Sequence, residues 1–202
     1  MSFLEAVREL GRQPPWLEIA ANATNLLSVV LATRNAIHTW WTGLAGCVLF
    51  AWLFFAAKLY ADVTLQVFFV CTGVLGWWQW MHRDGRRADR PITRTTARQL
   101  SWIVPAALAA TVGYGWILHR FTDAYAPFPD AALLALSVTA QLLLMQRKLE
   151  TWVFWFLANT LSIPLYASRD LWLTAFFYLL FWANAPIGFV HWRRQLNLAS
   201  AP

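Results

Sequence analysis

The chain has 202 residues, of which 59% are hydrophobic and only 13% are charged, and its formal net charge is +6. A soluble domain carries about twice that fraction of charged residues, so the composition excludes an ordinary globular protein. The basic residues sit in short clusters between long apolar runs, which argues against a nucleic-acid-binding face. Together these features predict a helical protein that crosses a membrane several times.

Seven segments are apolar and long enough, or nearly so, to provide the roughly 20 helical residues that a hydrocarbon core requires. In chain order they cover 17–34, 38–57, 62–81, 99–118, 129–146, 150–167 and 170–191. No segment of about ten residues alternates strictly between apolar and polar side chains, as the strands of a membrane barrel do. The start of the chain lacks a basic stretch followed by an apolar one, so we expect no cleaved signal peptide.

Seven spans place the two ends of the chain on opposite sides of the membrane, and the basic residues indicate which side is which. Of the 16 Lys and Arg residues, eleven fall on the side of the C-terminus and five on the side of the N-terminus. Six of the eleven lie at 83–98, in the loop that leads into the fourth span. The N-terminus is therefore predicted to be outside and the C-terminus cytoplasmic. The basic loop is expected to meet lipid headgroups or a partner protein.

Self-comparison at an offset of 112 residues reveals an internal repeat. The matches least expected by chance pair Trp40 with Trp152, Gly76 with Gly188 and Trp80 with Trp192. We therefore predict a first three-helix bundle at 17–81, a basic loop and linker helix at 82–128 and a second three-helix bundle at 129–192, flanked by segments 1–16 and 193–202. A single joining helix makes the bundles parallel. Transporters use this plan with the substrate site near the midplane between the repeats.

One face of the sixth span carries Trp152, Trp155 and Asn159. An amide in hydrocarbon needs hydrogen-bond partners, so Asn159 either bonds to a neighbouring helix or lines a cavity, and the two indoles favour a cavity. The 112-residue offset places Gln66 of the third span on Tyr178 of the seventh, where both could line the same cavity. Further intramembrane amides that could contact a substrate are Asn22, Asn25 and Asn184.

The middle of each predicted span is free of Asp, Glu, Lys and Arg. Carriers that are coupled to protons or ions usually need a buried ionisable group, so the sequence favours facilitated diffusion. A neutral, polar cavity lined by indoles suits a planar molecule, and indole faces attract delocalised cations. The four histidines lie far apart without metal-ligand spacing, so we expect no metal site, no cofactor and no enzyme active site.

The most telling stretches are LFFAAKLYADVTLQVFFVCTGVLGWWQW at 53–80, and KLETWVFWFLANTLSIPLY at 148–166 with DLWLTAFFYLLF at 170–181. In these stretches, and over nearly its whole length, the chain resembles the PnuC family of bacterial vitamin transporters. The resemblance implies the fold of the SWEET sugar transporters, with two three-helix bundles and a linker helix, and a location in the bacterial inner membrane. It also implies uptake of nicotinamide riboside, a pyridinium riboside, without ion coupling. A separate cytoplasmic kinase would then trap the substrate by phosphorylation.

The resemblance also assigns roles to particular residues. The family's Trp-x-x-Trp motif followed by Asn or Asp looks like Trp152, Trp155 and Asn159, which implies that these side chains bind the substrate. Gln66 is the best match to a substrate-contacting glutamine, with Gln79 as a rival, and Tyr178 would supply an aromatic hydroxyl from the second bundle.

Other interpretations stay open at this stage. Members of the family also carry thiamine or riboflavin, and the thiazolium ring of thiamine is a cation that indoles could hold. A membrane scaffold or receptor that does not transport would be built from the same spans, although the intramembrane amides disfavour it. The apolar outer faces of the bundles would allow homo-oligomers to form.

Overall fold

The computed structural model describes residues 15–56, 60–82, 91–122, 126–169 and 172–199. These residues form seven helices. They are α1 Pro15–Thr33, α2 His38–Ala56, α3 Tyr60–His82, α4 Ala97–Phe121, α5 Pro127–Met145, α6 Thr151–Ala167 and α7 Trp172–Ala199. Outside the helices, an isolated parallel bridge joins Thr93 to Lys148, and the described ranges contain no longer strand. The predicted all-helical fold with seven helices is therefore confirmed.

The helices follow the predicted spans closely, with the largest difference at the C-terminal end. Five of them, α1, α2, α4, α5 and α7, are long and apolar enough to cross a membrane by length and composition. The helix α7 does not end near 191, as the sequence suggested, but continues to Ala199. Much of the predicted C-terminal tail is thus the last turns of a helix.

The chain divides into two compact units, within Met1–Gly85 and within Arg86–Pro202. In the first unit α2 packs against both α1 and α3. In the second unit α4 packs against α5, and α6 packs against both α5 and α7. The helix expected to link two bundles therefore belongs to the second unit. The exact limits of the predicted bundles, 17–81 and 129–192, stay a prediction.

The internal repeat appears as one packing arrangement that occurs once in each unit. In the first, Trp40 packs edge-on against Trp80 with ring centroids 5.2 Å apart, and a Cβ on Gly76 would lie 2.4 Å from the Trp40 ring. In the second, Trp152 packs edge-on against Trp192 at 5.5 Å, and a Cβ on Gly188 would lie 2.6 Å from the Trp152 ring. Glycine is required in both places because any side chain would overlap the indole.

The repeat extends to the loop that precedes each of these tryptophans. Asn35 and Arg147, which are 112 residues apart, are the non-glycine residues with positive φ in the described chain, at 54° and 52°. Each ends a helix in a Schellman motif. The amide of Ala36 donates to the carbonyl of Leu31 at 3.0 Å, and the amide of Lys148 donates to that of Leu143 at 2.9 Å.

A threonine hydroxyl then ties the first two helices of each bundle together. Thr39 donates to the carbonyl of Ser28 at 2.9 Å, and Thr151 donates to that of Ala140 at 2.7 Å. These two bonds also obey the 112-residue offset. The sequence comparison found the repeat only from Trp40 onward, so the structure extends it back to the first helix of each bundle.

Candidate functional site

The predicted polar face of α6 is the face that packs inside the second unit. Trp152 is 2% exposed and Asn159 is 5% exposed, whereas Val153 and Leu157 on the opposite side of the helix are exposed. Trp155, one turn from each of the other two, is half-buried. The helical period of 3.6 residues thus brings the three predicted side chains to one buried face, as the sequence indicated.

Trp152 has a packing role that its counterpart in the first unit explains. Its indole fills the space over Gly188 and contacts Trp192, as Trp40 does over Gly76. The indole nitrogens of Trp152 and Trp40 are both buried, and neither has a hydrogen-bond partner within the described residues. The shared arrangement shows that Trp152 helps to hold α6 against α7, whatever else it contacts.

Trp155 and Asn159 differ in this respect, because the first unit has no equivalent of either. The 112-residue offset places Trp155 on Gly43 and Asn159 on Cys47. No hydrogen bond to the Asn159 side chain is found within the described part of the chain. The second unit therefore has a largely buried amide, without a hydrogen bond to any described residue, next to a half-buried indole. That combination is what a polar ligand would need.

Tyr178 lies near the same place in the second unit. Trp155 and Tyr178 both pack against a buried cluster that includes Ala158, the residue next to Asn159. The ring of Tyr178 stacks on that of Tyr166 with centroids 4.9 Å apart, and it meets the edge of Phe181 at 5.4 Å. The structure thus brings Trp155 of α6 and Tyr178 of α7 to one cluster, next to Asn159 in the chain.

Sequence reasoning missed Tyr166 and Ser162, which are 3% and 0% exposed. The repeat contained a signal for both, because the offset places them on Phe54 and Phe50, which stack on each other in the first unit at 5.3 Å. The second unit thus has the hydroxyl of Ser162 where the first unit has the ring of Phe50. At the other position Tyr166 adds a hydroxyl to the ring that Phe54 provides in the first unit.

The remaining predicted amides are spread over both units. Gln66 in α3 is 7% exposed, and its side chain has no hydrogen bond to any described residue. Gln79, the alternative, is only half-buried, as is Asn184 of α7, which does have an interaction partner. Asn22 and Asn25 both lie in α1.

The two asparagines of α1 are held in different ways. The amide nitrogen of Asn22 donates to the carbonyl of Glu18 at 2.9 Å, while its buried oxygen has no partner in the described chain. The side-chain oxygen of Asn25 lies where a Cβ on Gly46 would come within 2.7 Å. Asn22 therefore retains an acceptor for a ligand, and Asn25 is packed closely against α2.

Charged groups are found at helix ends. Asp130, in the first turn of α5, forms two hydrogen bonds to Arg169 beyond the end of α6, at 2.6 and 2.7 Å. Glu150 precedes α6 and accepts the backbone N–H of Thr95 at 2.7 Å and the Arg94 side chain at 3.4 Å. Burial acts to raise the pKa of the Glu150 carboxyl, but the hydrogen bonds from Thr95 and Arg94 outweigh it, and the pKa is lowered.

Within the described residues, no group of three or more His, Cys, Asp or Glu side chains could hold a metal ion. The structure is that of a helical membrane protein built on a repeated bundle. Trp155 and Tyr178 pack against one buried cluster, and the Asn159 amide beside it has no hydrogen bond to a described residue. This arrangement is typical of a membrane transporter for a small polar molecule.

Comparison with known proteins places the chain more closely. A model of the nicotinamide mononucleotide transporter family matches residues 15–194, and the chain belongs to this family. It is 23% identical over 195 residues to the nicotinamide riboside transporter PnuC of Escherichia coli strain K12, covering 84% of this chain and 82% of the relative. With the PnuC of Neisseria mucosa it shares 26% identity over 212 residues, covering 96% and 78% of the two chains.

Two further matches extend the comparison. The riboflavin/roseoflavin transporter RibM of Streptomyces davaonensis is 23% identical over 194 residues, covering 93% of this chain and 89% of RibM. A crystal structure of the vitamin B3 transporter PnuC aligns with a TM-score of 0.76 at 25% identity, covering 98% of this chain and 88% of that one. The predicted resemblance, the fold class and the assignment as a transporter rather than an enzyme are confirmed.

Proposed function

We propose that this protein takes up nicotinamide riboside by facilitated diffusion. The observation that carries the proposal is the buried Asn159 amide, unpartnered in the described chain, beside Trp155 at positions where the first unit has Cys47 and Gly43. The PnuC relatives are named for this substrate. The described helices carry their charged groups near their ends, which supports transport without ion coupling.

The chemistry of the substrate matches these side chains. A pyridinium ring is a delocalised cation, and the face of an indole attracts such a ring by about 1–2 kcal/mol when both are desolvated. The amide of Asn159 can donate to and accept from the carboxamide or the ribose hydroxyls. Tyr178 supplies a further hydroxyl, and Trp152 supports Trp155 one turn away on the same face.

The other predicted contacts, the orientation and the location belong to the same proposal. Gln66 is preferred to Gln79 as a contact from the first unit because it is more deeply buried and unpartnered among the described residues. Asn22, Asn25 and Asn184 are secondary candidates. We place the protein in the bacterial inner membrane with its N-terminus periplasmic and its C-terminus cytoplasmic, where a separate kinase would phosphorylate the substrate. A homo-oligomer is compatible with this arrangement.

Calorimetric titration of the detergent-purified protein with nicotinamide riboside, thiamine and riboflavin tests the substrate. Micromolar or tighter binding of nicotinamide riboside alone is expected. Tighter binding of riboflavin, the alternative that the relationship to RibM supports, or of thiamine would overturn the substrate assignment. Uptake into liposomes without any ion gradient then tests the mechanism. A protein that binds the substrate and moves none of it would be a receptor.

A further inference from the structure

A groove runs along the crease between α4 and α5 in the second unit. Its volume is about 420 Å³, and its walls are almost entirely apolar, with Ala106, Ala107 and Ala110 from α4 facing Ala135 and Val138 from α5. It extends from Ala131 to Gln146, roughly 20 Å at 1.5 Å per helical residue, compared with about 15 Å for the hydrocarbon half-thickness of a bilayer. The groove is thus long enough for a lipid chain.

The packing of α4 explains why this crease stays open. Near the end of α4, Gly115 lies so close to Phe128 that a Cβ would come within 2.6 Å of its ring. At the other end, Leu100 and Ile103 pack against the buried cluster formed by α5 and α6. Between these two contacts α4 presents Ala106, Ala107 and Ala110 to α5, and these small side chains leave the groove open.

A second, more polar cavity of about 450 Å³, here called the mouth, lies at one end of the apolar groove. The two cavities share Ile103, Leu143 and Gln146 in their walls, so they adjoin each other. Arg98 and Lys148 line the mouth. Neither forms an ion pair with a carboxylate in the described chain, and the Lys148 ammonium donates to the carbonyl of Arg94 at 3.2 Å.

The mouth also lies at the first turn of α4, where the helix dipole favours an anion. The N–H of Gln99 is already bonded to the Thr96 hydroxyl at 3.2 Å, so the dipole rather than this N–H would contribute. The nearby carboxylate of Glu150 is already engaged by Arg94 and by the backbone of Thr95. Two cations without carboxylate partners among the described residues therefore line a cavity that adjoins the apolar groove. Basic pockets of this kind beside membrane helices bind anionic lipid headgroups.

We propose that this crease is a binding site for one anionic phospholipid. Its phosphate sits in the mouth between Arg98 and Lys148, and one acyl chain lies in the groove along Ala107 and Ala110. The ligand would hold α4 against α5, since α4 buries little of its own surface in the second unit. Neither Trp155 nor Asn159 lines the groove or its mouth, so the inference does not depend on the identity of the transported substrate.

Native mass spectrometry of the purified protein, with phosphatidylglycerol and phosphatidylcholine of identical acyl chains, tests the headgroup. Phosphatidylglycerol is expected to bind more tightly. Each lost cation should weaken it about fivefold, so Arg98→Gln combined with Lys148→Gln should lower its affinity more than tenfold. The matched control is Arg193→Gln combined with Arg194→Gln, which removes the same charge from exposed positions of α7. Equal losses in both double variants would show nonspecific surface attraction and overturn the proposal.

The groove has its own test, which does not depend on the charges. Ala110→Trp fills the furrow and should weaken both lipids, whereas Ala109→Trp, on α4 but outside the groove, should leave both unchanged. Unchanged phosphatidylglycerol binding in Ala110→Trp would refute an acyl chain in this place. Full displacement of phosphatidylglycerol by millimolar inorganic phosphate would identify a site for a free anion instead. Melting temperatures without lipid confirm that every variant is folded.

Discussion

Replacing Asn159 tests whether its side chain stabilises the fold or binds a ligand. The side chain is 5% exposed and has no hydrogen-bond partner among the described residues. A buried amide without partners costs about 1–3 kcal/mol of desolvation. Asn159→Cys installs the residue that the first unit carries at the equivalent position, Cys47. The melting temperature of the ligand-free variant is therefore expected to equal or exceed that of the wild type.

The same substitution should weaken substrate binding. Loss of a hydrogen bond that a bound ligand makes to a buried amide costs about 1–3 kcal/mol, which corresponds to roughly a 5- to 150-fold rise in Kd. Calorimetry with nicotinamide riboside measures the affinity, and thermal unfolding in the same detergent measures the stability. Cys47→Ala is the matched control and should leave the affinity unchanged.

The result that would refute this reasoning is a parallel loss. If Asn159→Cys lowers the melting temperature by several degrees and the affinity falls only in proportion to the folded fraction, the amide serves helix packing. A variant that is stable but unable to bind supports a ligand contact. A variant that is stable and binds with unchanged affinity would show that Asn159 does not contact the substrate.

Three further predictions rest on other contacts. Trp155→Ala should weaken nicotinamide riboside binding by about 5- to 30-fold, from a cation–π loss of about 1–2 kcal/mol, while Trp41→Ala, 48% exposed, should not; equal losses in calorimetry would contradict the site. Gly188→Ala should destabilise the protein by about 1–3 kcal/mol through overpacking, whereas Gly113→Ala, with nothing within 4 Å of the added Cβ, should not. Identical thermal melts for the two variants would show that the Trp152 indole moves aside without cost. Because the pKa of Glu150 is lowered from its ordinary 4.5, its carboxylate stabilises the fold above that pH and the effect is lost as pH falls through the lowered value. The melting-temperature gap between wild type and Glu150→Gln should accordingly be present at pH 7 and close as the pH falls below 4.5 through the lowered pKa. A gap independent of pH would exclude the ionised form as the cause.

The sequence was sufficient for the features that follow from hydrophobic length and helical period. The seven helices lie close to the predicted spans because each is an apolar run bounded by polar loops. The matched residues proved to contact each other within each unit, with Trp40 over Gly76 and Trp152 over Gly188, since an indole on one helix needs a glycine on the next. The face with Trp155 and Asn159 required only a period of 3.6 residues.

What the sequence could not show depends on packing between helices. Arg147 in a left-handed conformation is not expected from residue type, because glycine or asparagine usually ends a helix in this way. The stacking of Tyr166 on Tyr178 requires the distance between α6 and α7. The crease beside α4 arises from small side chains between two tight contacts, and apolar composition alone does not distinguish a filled furrow from an open one.

The repeat supplies an internal reference for deciding which residues serve the fold. Gly43 and Cys47 show that a bundle of this construction packs without an indole or an amide at those two positions. The first unit therefore packs without an equivalent of Trp155 or Asn159, which supports the proposal that these two side chains serve a ligand in the second unit. The opposite holds for Trp152, since Trp40 makes the same contacts in the other unit. Removal of the Trp152 indole should lower stability and binding together. Substitutions of Trp155 and Asn159, which lack counterparts in the first unit, therefore test the site without this ambiguity.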